Sequence, residues 1–168
     1  MSISEHLLTE LDAEIKTTRE TLSRVPDTDK ADFKPHPKSM KLGSLAPHVA
    51  QLAEFGITVL TTPELDFGKG SMQPLKFESP SQLVQAFDAQ STKLRAALAA
   101  TPDSAWLENW KLSFQGHTIF SGSRFLAYRQ MFMNHLVHHR AQLGVYLRLN
   151  DKPVPATYGP SADDTMGF

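Results

Sequence analysis

Apolar residues recur along the chain with the period of a helix in four places. In the first, Leu8, Leu11, Ile15, Thr18, Leu22 and Val25 follow one another at alternating spacings of three and four, which lays them along one stripe of an amphipathic helix. Pro26 ends it, because the ring removes a backbone donor and clashes with the preceding turn. The second runs from about Ser44, read as an N-cap, to Leu60, with Leu45, His48, Leu52, Phe55 and Val59 on its stripe and Pro47 in its first turn. Thr61, Thr62 and Pro63 close it. The third opens at Ser79, Pro80 and Ser81, carries Leu83, Phe87, Leu94 and Leu98, and stops near Thr101 and Pro102. The fourth is the longest, from about Ser121 to Leu149, ended by Asn150 and Asp151 with Pro153 and Pro155 just beyond.

Two irregular stretches, residues 62 to 79 and 102 to 120, separate these segments. In the second, KLSFQGHTIF sets apolar residues on both sides of Gln115 and Gly116, which suggests a short hairpin before the last helix. Four helices with one apolar stripe each bury those stripes most simply against one another, so the expected fold is an all-α four-helix bundle. A chain of 168 residues buries one sizeable core and is short for two, which makes residues 1–168 a single expected domain.

Charge narrows the partners. Lys and Arg number 17 against 18 Asp and Glu, and the basic residues are scattered instead of forming a stripe that tracks a phosphate backbone, so nucleic acid is not expected. No apolar run approaches the ~18 residues of a membrane span, and the early acids of MSISEHLLTELDAEIK do not suit a secretory signal; the expectation is a cytoplasmic protein. The absence of cysteine rules out a disulfide framework, a thiolate metal site and a cysteine nucleophile. Any metal must rest on His, Asp or Glu.

The segment NHLVHHRAQL, with three histidines in five positions, is where such a site would lie. At 100° per residue the stripe of the last helix is Phe125, Tyr128, Phe132, Leu143 and Tyr146. With His135 at zero, His139 falls at about +40°, within that arc, and His138 at about −60°, outside it. His135 and His139, at i and i+4, are close enough for their rings to converge on one ion. The pair alone leaves two readings open, a hydrogen-bonded core pair or a metal site, because each inward imidazole needs partners for both nitrogens in an apolar setting. His48, on the stripe of the second helix, adds a third inward imidazole. Three imidazoles without a carboxylate suit a divalent ion of the Zn, Ni or Fe type with a position left for water or substrate. Leu136 stands where the HExxH pattern would need its glutamate, which disfavours peptide hydrolysis by that route.

A histidine early in the second helix, within KSMKLGSLAPHVAQL, followed late in the chain by NHLVHHRAQLGVYLR and a Pro-rich exit, resembles the DinB/YfiT-like family of metal-dependent enzymes, the DinB-like four-helix-bundle superfamily. The resemblance runs from LDAEIKTTRETLSRVP to VPATYGPSADD. It implies an up-down-down-up bundle, a homodimer, and a metal held by His48, His135 and His139. It also implies thiol-dependent S-transfer or addition onto a small electrophile, so the expected partners are a small-molecule thiol and an electrophile, with Ni or Zn as the ion and Fe as a further choice. A non-catalytic bundle holding a structural or sensing ion, and a metal-assisted hydrolase, are the competing readings.

Other positions carry lesser expectations. His138 reads as a surface or interface residue or a group orienting a ligand, Arg140 as a solvated or salt-bridged flank residue, and Gln142 as lining a cavity mouth or satisfied in the core. Tyr128 and Tyr146 read as core, and His6, His36 and His117 as ordinary polar positions. The tail TYGPSADDTMGF reads as a loose end from which Tyr158 can fold back over one end of the bundle, and the flank at Ala141 and Val145 as a dimer face.

Overall fold

Four helices form the molecule's frame in a computed structural model that describes residues 2–70 and 73–167. Helix α1 spans Ile3–Ser23 and opens with a capping box: the Ser2 hydroxyl accepts from the Glu5 backbone N–H at 3.2 Å, and the Glu5 carboxylate accepts from the Ser2 N–H. Helix α3, Pro80–Ala100, starts as expected with the Ser79 hydroxyl accepting from the Gln82 N–H. Helix α2 is Leu42–Thr61, so it begins two residues before Ser44. Its first donors are met by the preceding loop and not by a serine side chain, since the N–H groups of Leu42 and Gly43 donate to the carbonyls of Phe33 and Ala31, both at 2.8 Å. Pro47 consequently lies in the second turn.

The last helix, α4, also departs from the expected bounds. Ser121 belongs to a strand, Ser123 caps the helix by accepting from the Leu126 N–H, and a single α-turn, Arg124–Leu126, leads into a π-helical segment, Ala127–Met133, before regular α-helix resumes over Asn134–Leu149. The wider π turn breaks the 100° phase on which the predicted stripe was built. Phe125 is therefore 37% exposed and not part of the core, whereas Tyr128 and Phe132 are buried as expected.

Side-chain pairs give the helix directions. Arg95 bonds Asp12 and Arg19 bonds Asp88, so α1 and α3 run antiparallel. Glu10 meets Arg129 and Glu14 meets Arg140, so α1 and α4 run parallel. The start of α2 meets the end of α4 through the Tyr146 hydroxyl and the Met40 carbonyl, and the end of α2 meets the start of α4 through Arg124 and the Val59 carbonyl. The bundle is thus up-down-down-up. At its centre, a Cβ on Gly56 would stand 3.0 Å from Leu94 and 3.1 Å from Phe132, so the bare backbone of glycine is what lets α2 close on α3 and α4.

A small sheet is added at one end. Strands β2, Asn109–Phe114, and β3, His117–Ser123, form the expected hairpin, with Gln115 and Gly116 at positive φ in its turn. A third strand, β1, Glu64–Asp66, pairs parallel to β2 within a stretch read as irregular. Three residues are too few to show a period-2 pattern, and a pairing 47 positions away in sequence leaves no local sign (Glu64 with Lys111). The buried Arg124 guanidinium joins sheet to bundle: it donates to the carbonyls of Val59, Leu60 and Thr62 and to the Glu108 carboxylate. It satisfies the orphan carbonyls at the end of α2 and sets a cation at the negative pole of that helix. Among the described residues no helix is long and apolar enough to cross a membrane.

Candidate metal centre

The buried face of α4 past the π segment is Leu136, Arg140, Leu143 and Leu147. On the wheel these lie at about 80° to 140°, with His135, Tyr146 and His139 at about 0° to 40° on their flank. The two histidines therefore do not point into the core. They are half-buried beside it, on the side that meets α2, and His48 occupies the corresponding edge of α2 between buried Pro47 and Val49. A flank position can be reached from outside, and a core position cannot.

One ligand atom from each of His48, His135 and His139 lies within 4.8 Å of the others. The Nε2 atoms of His48 and His135 are 3.3 Å apart, the separation expected for two imidazoles on one tetrahedral ion with bonds of about 2.0–2.1 Å. The rings crowd: His48 sits edge-on to His139 at 4.5 Å between centroids, and His135 and His139 are 4.6 Å apart. The other nitrogens of the α4 pair are occupied. His135 Nδ1 faces the Met131 carbonyl at 3.3 Å, and His139 Nδ1 faces the Gln142 amide oxygen at 2.8 Å. Both acceptors call for a proton on Nδ1, which leaves each Nε2 lone pair free for the cluster.

Burial is the first cause that lowers the proton affinity of all three rings. His48 is brought down to about 4 by burial and by the neighbouring His139 and His135. His135 is lowered by burial and by His139, partly offset by its bond to Met131, and His139 by burial, partly offset by its bond to Gln142. Neutral imidazoles with unprotonated Nε2 atoms are the form that binds a cation, so the cluster fits a divalent ion. A histidine whose folded-state pKa is depressed leaves stability intact above the unfolded value near 6.5 and loses it as pH falls, because the unfolded chain takes up the protons first. After chelation the protein is expected to lose stability between pH 6.5 and about 4 more steeply than His48→Gln does, with the two slopes alike above pH 7. Thermal melts across that range measure it, and parallel slopes throughout would contradict the assignment.

The remaining histidines are not drawn in. His138 is exposed, its ring 4.7 Å from that of His139, and His6, His36 and His117 are exposed elsewhere. Gln142 is exposed and serves as the acceptor that orients His139. Tyr146 is core, with its hydroxyl on Met40, and Tyr128 is fully buried.

Sequence reading missed two features. Arg140 is salt-bridged, one of its two expected readings, but in the core and not on a flank: it is 3% exposed, and its guanidinium donates to Glu14 at 2.5 Å, to the Thr18 hydroxyl at 3.1 Å and to the Tyr158 hydroxyl at 2.7 Å. Tyr158 in turn donates to the other Glu14 oxygen at 2.9 Å, so the tail is pinned along α1 and α4 and does not hang loose from one end. The Arg148–Asp163 ion pair holds it further on. The polar position 140, set among Leu136, Leu143 and Leu147 on one stripe, was the available signal. The second feature is a cleft of about 630 Å³ that opens on His48 and His135. Its walls come from α2, α4, the turn after β1, β2 and residues 73–75. Gln51 holds that last segment in place, donating to the Gln73 carbonyl at 2.8 Å and accepting from the Leu75 N–H at 2.6 Å.

Fold and site together define an up-down-down-up helical bundle with a three-histidine cluster that can hold a metal ion. The chain belongs to the DinB family, whose model matches residues 1–166. Among solved structures it is similar to a DinB-like protein from Bacillus cereus, with 20% identity and a TM-score of 0.65, covering 92% of this chain and 97% of that one. A DinB-like protein from Bacillus subtilis matches with 16% identity and a TM-score of 0.64, covering 87% and 92%. A mycothiol-dependent maleylpyruvate isomerase matches with 16% identity and a TM-score of 0.51, covering 86% of this chain and 59% of that one. At these identities the structures speak for the fold alone. No curated protein sequence matches the chain.

Proposed function

We propose that this protein is a metal-dependent enzyme that adds or transfers a small thiol onto a small electrophile, with His48, His135 and His139 holding a divalent ion, nickel or zinc before iron. The observation that carries the proposal is the convergence of three imidazoles, two with Nδ1 committed to acceptors, beside an open cleft that His48 and His135 line. A structural ion takes a closed set of four protein ligands, whereas three ligands beside a cleft leave a position for a reactant. The similarity to a mycothiol-dependent isomerase supports the choice of a thiol.

A bound divalent ion supplies Lewis acidity, which lowers the pKa of a coordinated thiol toward neutrality. The chain's own residues do the rest. Met131 and Gln142 keep the protons of His135 and His139 on Nδ1, and burial keeps all three rings neutral. In an addition the S–C bond forms as the electrophile's π bond breaks, and the thiol proton ends on the product; in a transfer the S–C bond forms as the bond from carbon to the leaving group breaks, and the thiol proton leaves with the displaced group.

The test begins with elemental analysis of the purified protein, followed by chelation and reloading with zinc, nickel or iron. Loss of bacillithiol, mycothiol, glutathione or coenzyme A is then followed with 1-chloro-2,4-dinitrobenzene as the electrophile. Thiol loss that depends on the reloaded ion is expected. A protein that takes up each ion yet consumes none of the four thiols above the uncatalysed rate defeats the thiol reading and leaves the ion site standing.

A further inference from the structure

The cleft beside the histidines has an unusual lining for a site expected to act on small metabolites. Among the described residues it contains no Lys, Arg, Asp or Glu. Its apolar walls are Pro47, Leu52, Phe55, Phe67, Pro74 and Leu75, and Met131 lines it too. The Gln51 amide, the obvious polar group there, is spent on the backbone of Gln73 and Leu75. Phe67 is 42% exposed at the rim, its ring nearly parallel to that of Phe55 at 6.2 Å between centroids. A ring left open to water on a short turn, beside an apolar wall and a ligand cluster, is a surface waiting for an apolar occupant. The volume, about 630 Å³, is in the range of pockets that hold small organic molecules.

A charged group moved into this cleft would lose hydration and find no counter-charge along the walls. We propose that the cleft takes an uncharged, largely apolar molecule carrying an aromatic ring, which packs against Phe55, Phe67 and Leu75 and presents one donor atom to the three histidines. The donor end rests on the metal reading above; the character of the tail is a property of the cleft and stands without it. Alongside the thiol reaction proposed above, the molecule seated on these walls is the electrophile, and electrophiles with carboxylate or phosphate groups along their length are selected against, while the charged groups of a thiol stay outside the cleft.

Two dyes that share one skeleton test this: 1-anilinonaphthalene, which is neutral, and its 8-sulfonate, which is anionic. Each is titrated into the chelated protein and followed by fluorescence. The neutral dye is expected to bind at least tenfold more tightly. Phe67→Ala, at an exposed rim position that leaves the bundle core untouched, should weaken the neutral dye at least fivefold, and Leu75→Lys should reverse the preference by supplying a cation. Equal or tighter binding of the sulfonate to the unmodified protein overturns the proposal, as does neutral-dye binding that neither substitution changes, since the dye would then lie elsewhere. Titration with cobalt(II) separates this result from the metal reading. Lack of a cobalt absorption band would strike the ion site alone, while the dye ratio still decides what the cleft accepts.

Discussion

His135→Ala is expected to weaken binding of a divalent ion by about 100-fold or more. Zinc sites with four ligands are worth ~10–16 kcal/mol, so losing one imidazole removes ~3 kcal/mol, and each 1.4 kcal/mol is a factor of ten. His135 is the informative ligand because its Nε2 is 3.3 Å from that of His48 and its ring also borders His139, so its loss separates the two remaining donors. Gln142→Leu should have a smaller effect, about 10-fold, because it removes only the acceptor that orients His139. His138→Ala should leave affinity unchanged, since that ring is exposed and outside the cluster. Competition against a chromophoric chelator measures all three. Full affinity in His135→Ala would remove the site from these residues.

Glu14→Ala is expected to destabilise the fold by about 3–5 kcal/mol, the largest effect on stability foreseen for a single polar residue. The reason is what it leaves behind. Arg140 keeps its charge, is sealed between α1 and α4, and loses its carboxylate while the Thr18 and Tyr158 hydroxyls cannot replace it. Replacing both charges, as in Glu14→Leu with Arg140→Met, should recover most of the loss, because a buried ion pair repays little beyond the desolvation of its own members. Tyr158→Phe, which removes one hydroxyl from the triad, should lose ~1 kcal/mol. Urea unfolding of the four proteins gives the comparison. A double variant as unstable as Glu14→Ala would mean that the pair contributes net stability, and a stable Glu14→Ala would mean that Arg140 reaches solvent.

These two predictions divide along a line that the chain itself draws. His139 and Arg140 are neighbours in sequence and about 100° apart around α4. One belongs to the ligand cluster and the other to the core. Helical periodicity brought out the grouping of His48 with His135 and His139, because spacing within a helix is local and regular segments obey it. The same periodicity misplaced the axis of the stripe, for a specific reason. The phase was carried across residues 127–133 as though they were α-helical, and the π turn there moved Phe125 to the surface and shifted the true core face toward Leu136, Arg140 and Leu147. For Arg140 a solvated or salt-bridged flank is the natural expectation, because charge is usually exposed; the ion pair is present but buried, and its partners Glu14 and Tyr158 lie 126 and 18 positions away, where spacing within α4 cannot name them.

The helix ends show the same division. Ser79, whose hydroxyl accepts from the Gln82 N–H, is a cap made by a side chain within a turn of the helix it starts and is the start the sequence predicts; the Ser2–Glu5 box of α1 is just as local, though the apolar stripe alone does not bring it out. The start of α2 is capped by the carbonyls of Ala31 and Phe33, whose positions depend on how a loop is folded, so Ser44 was a false start.

Four amphipathic stripes, the hairpin around Gln115 and Gly116, and three histidines on two helices were determined by the amino-acid sequence, because each rests on spacing within one local element. Tertiary packing decided the rest. It set the histidines on the edge of the core and not inside it, brought β1 beside β2, folded the tail over Arg140, and made the turn after β1 and residues 73–75 share with His48 and His135 a cleft that has no charged side chain among the described residues. Those features are contacts between distant segments, and their energies arise only when both partners have left water for the same place.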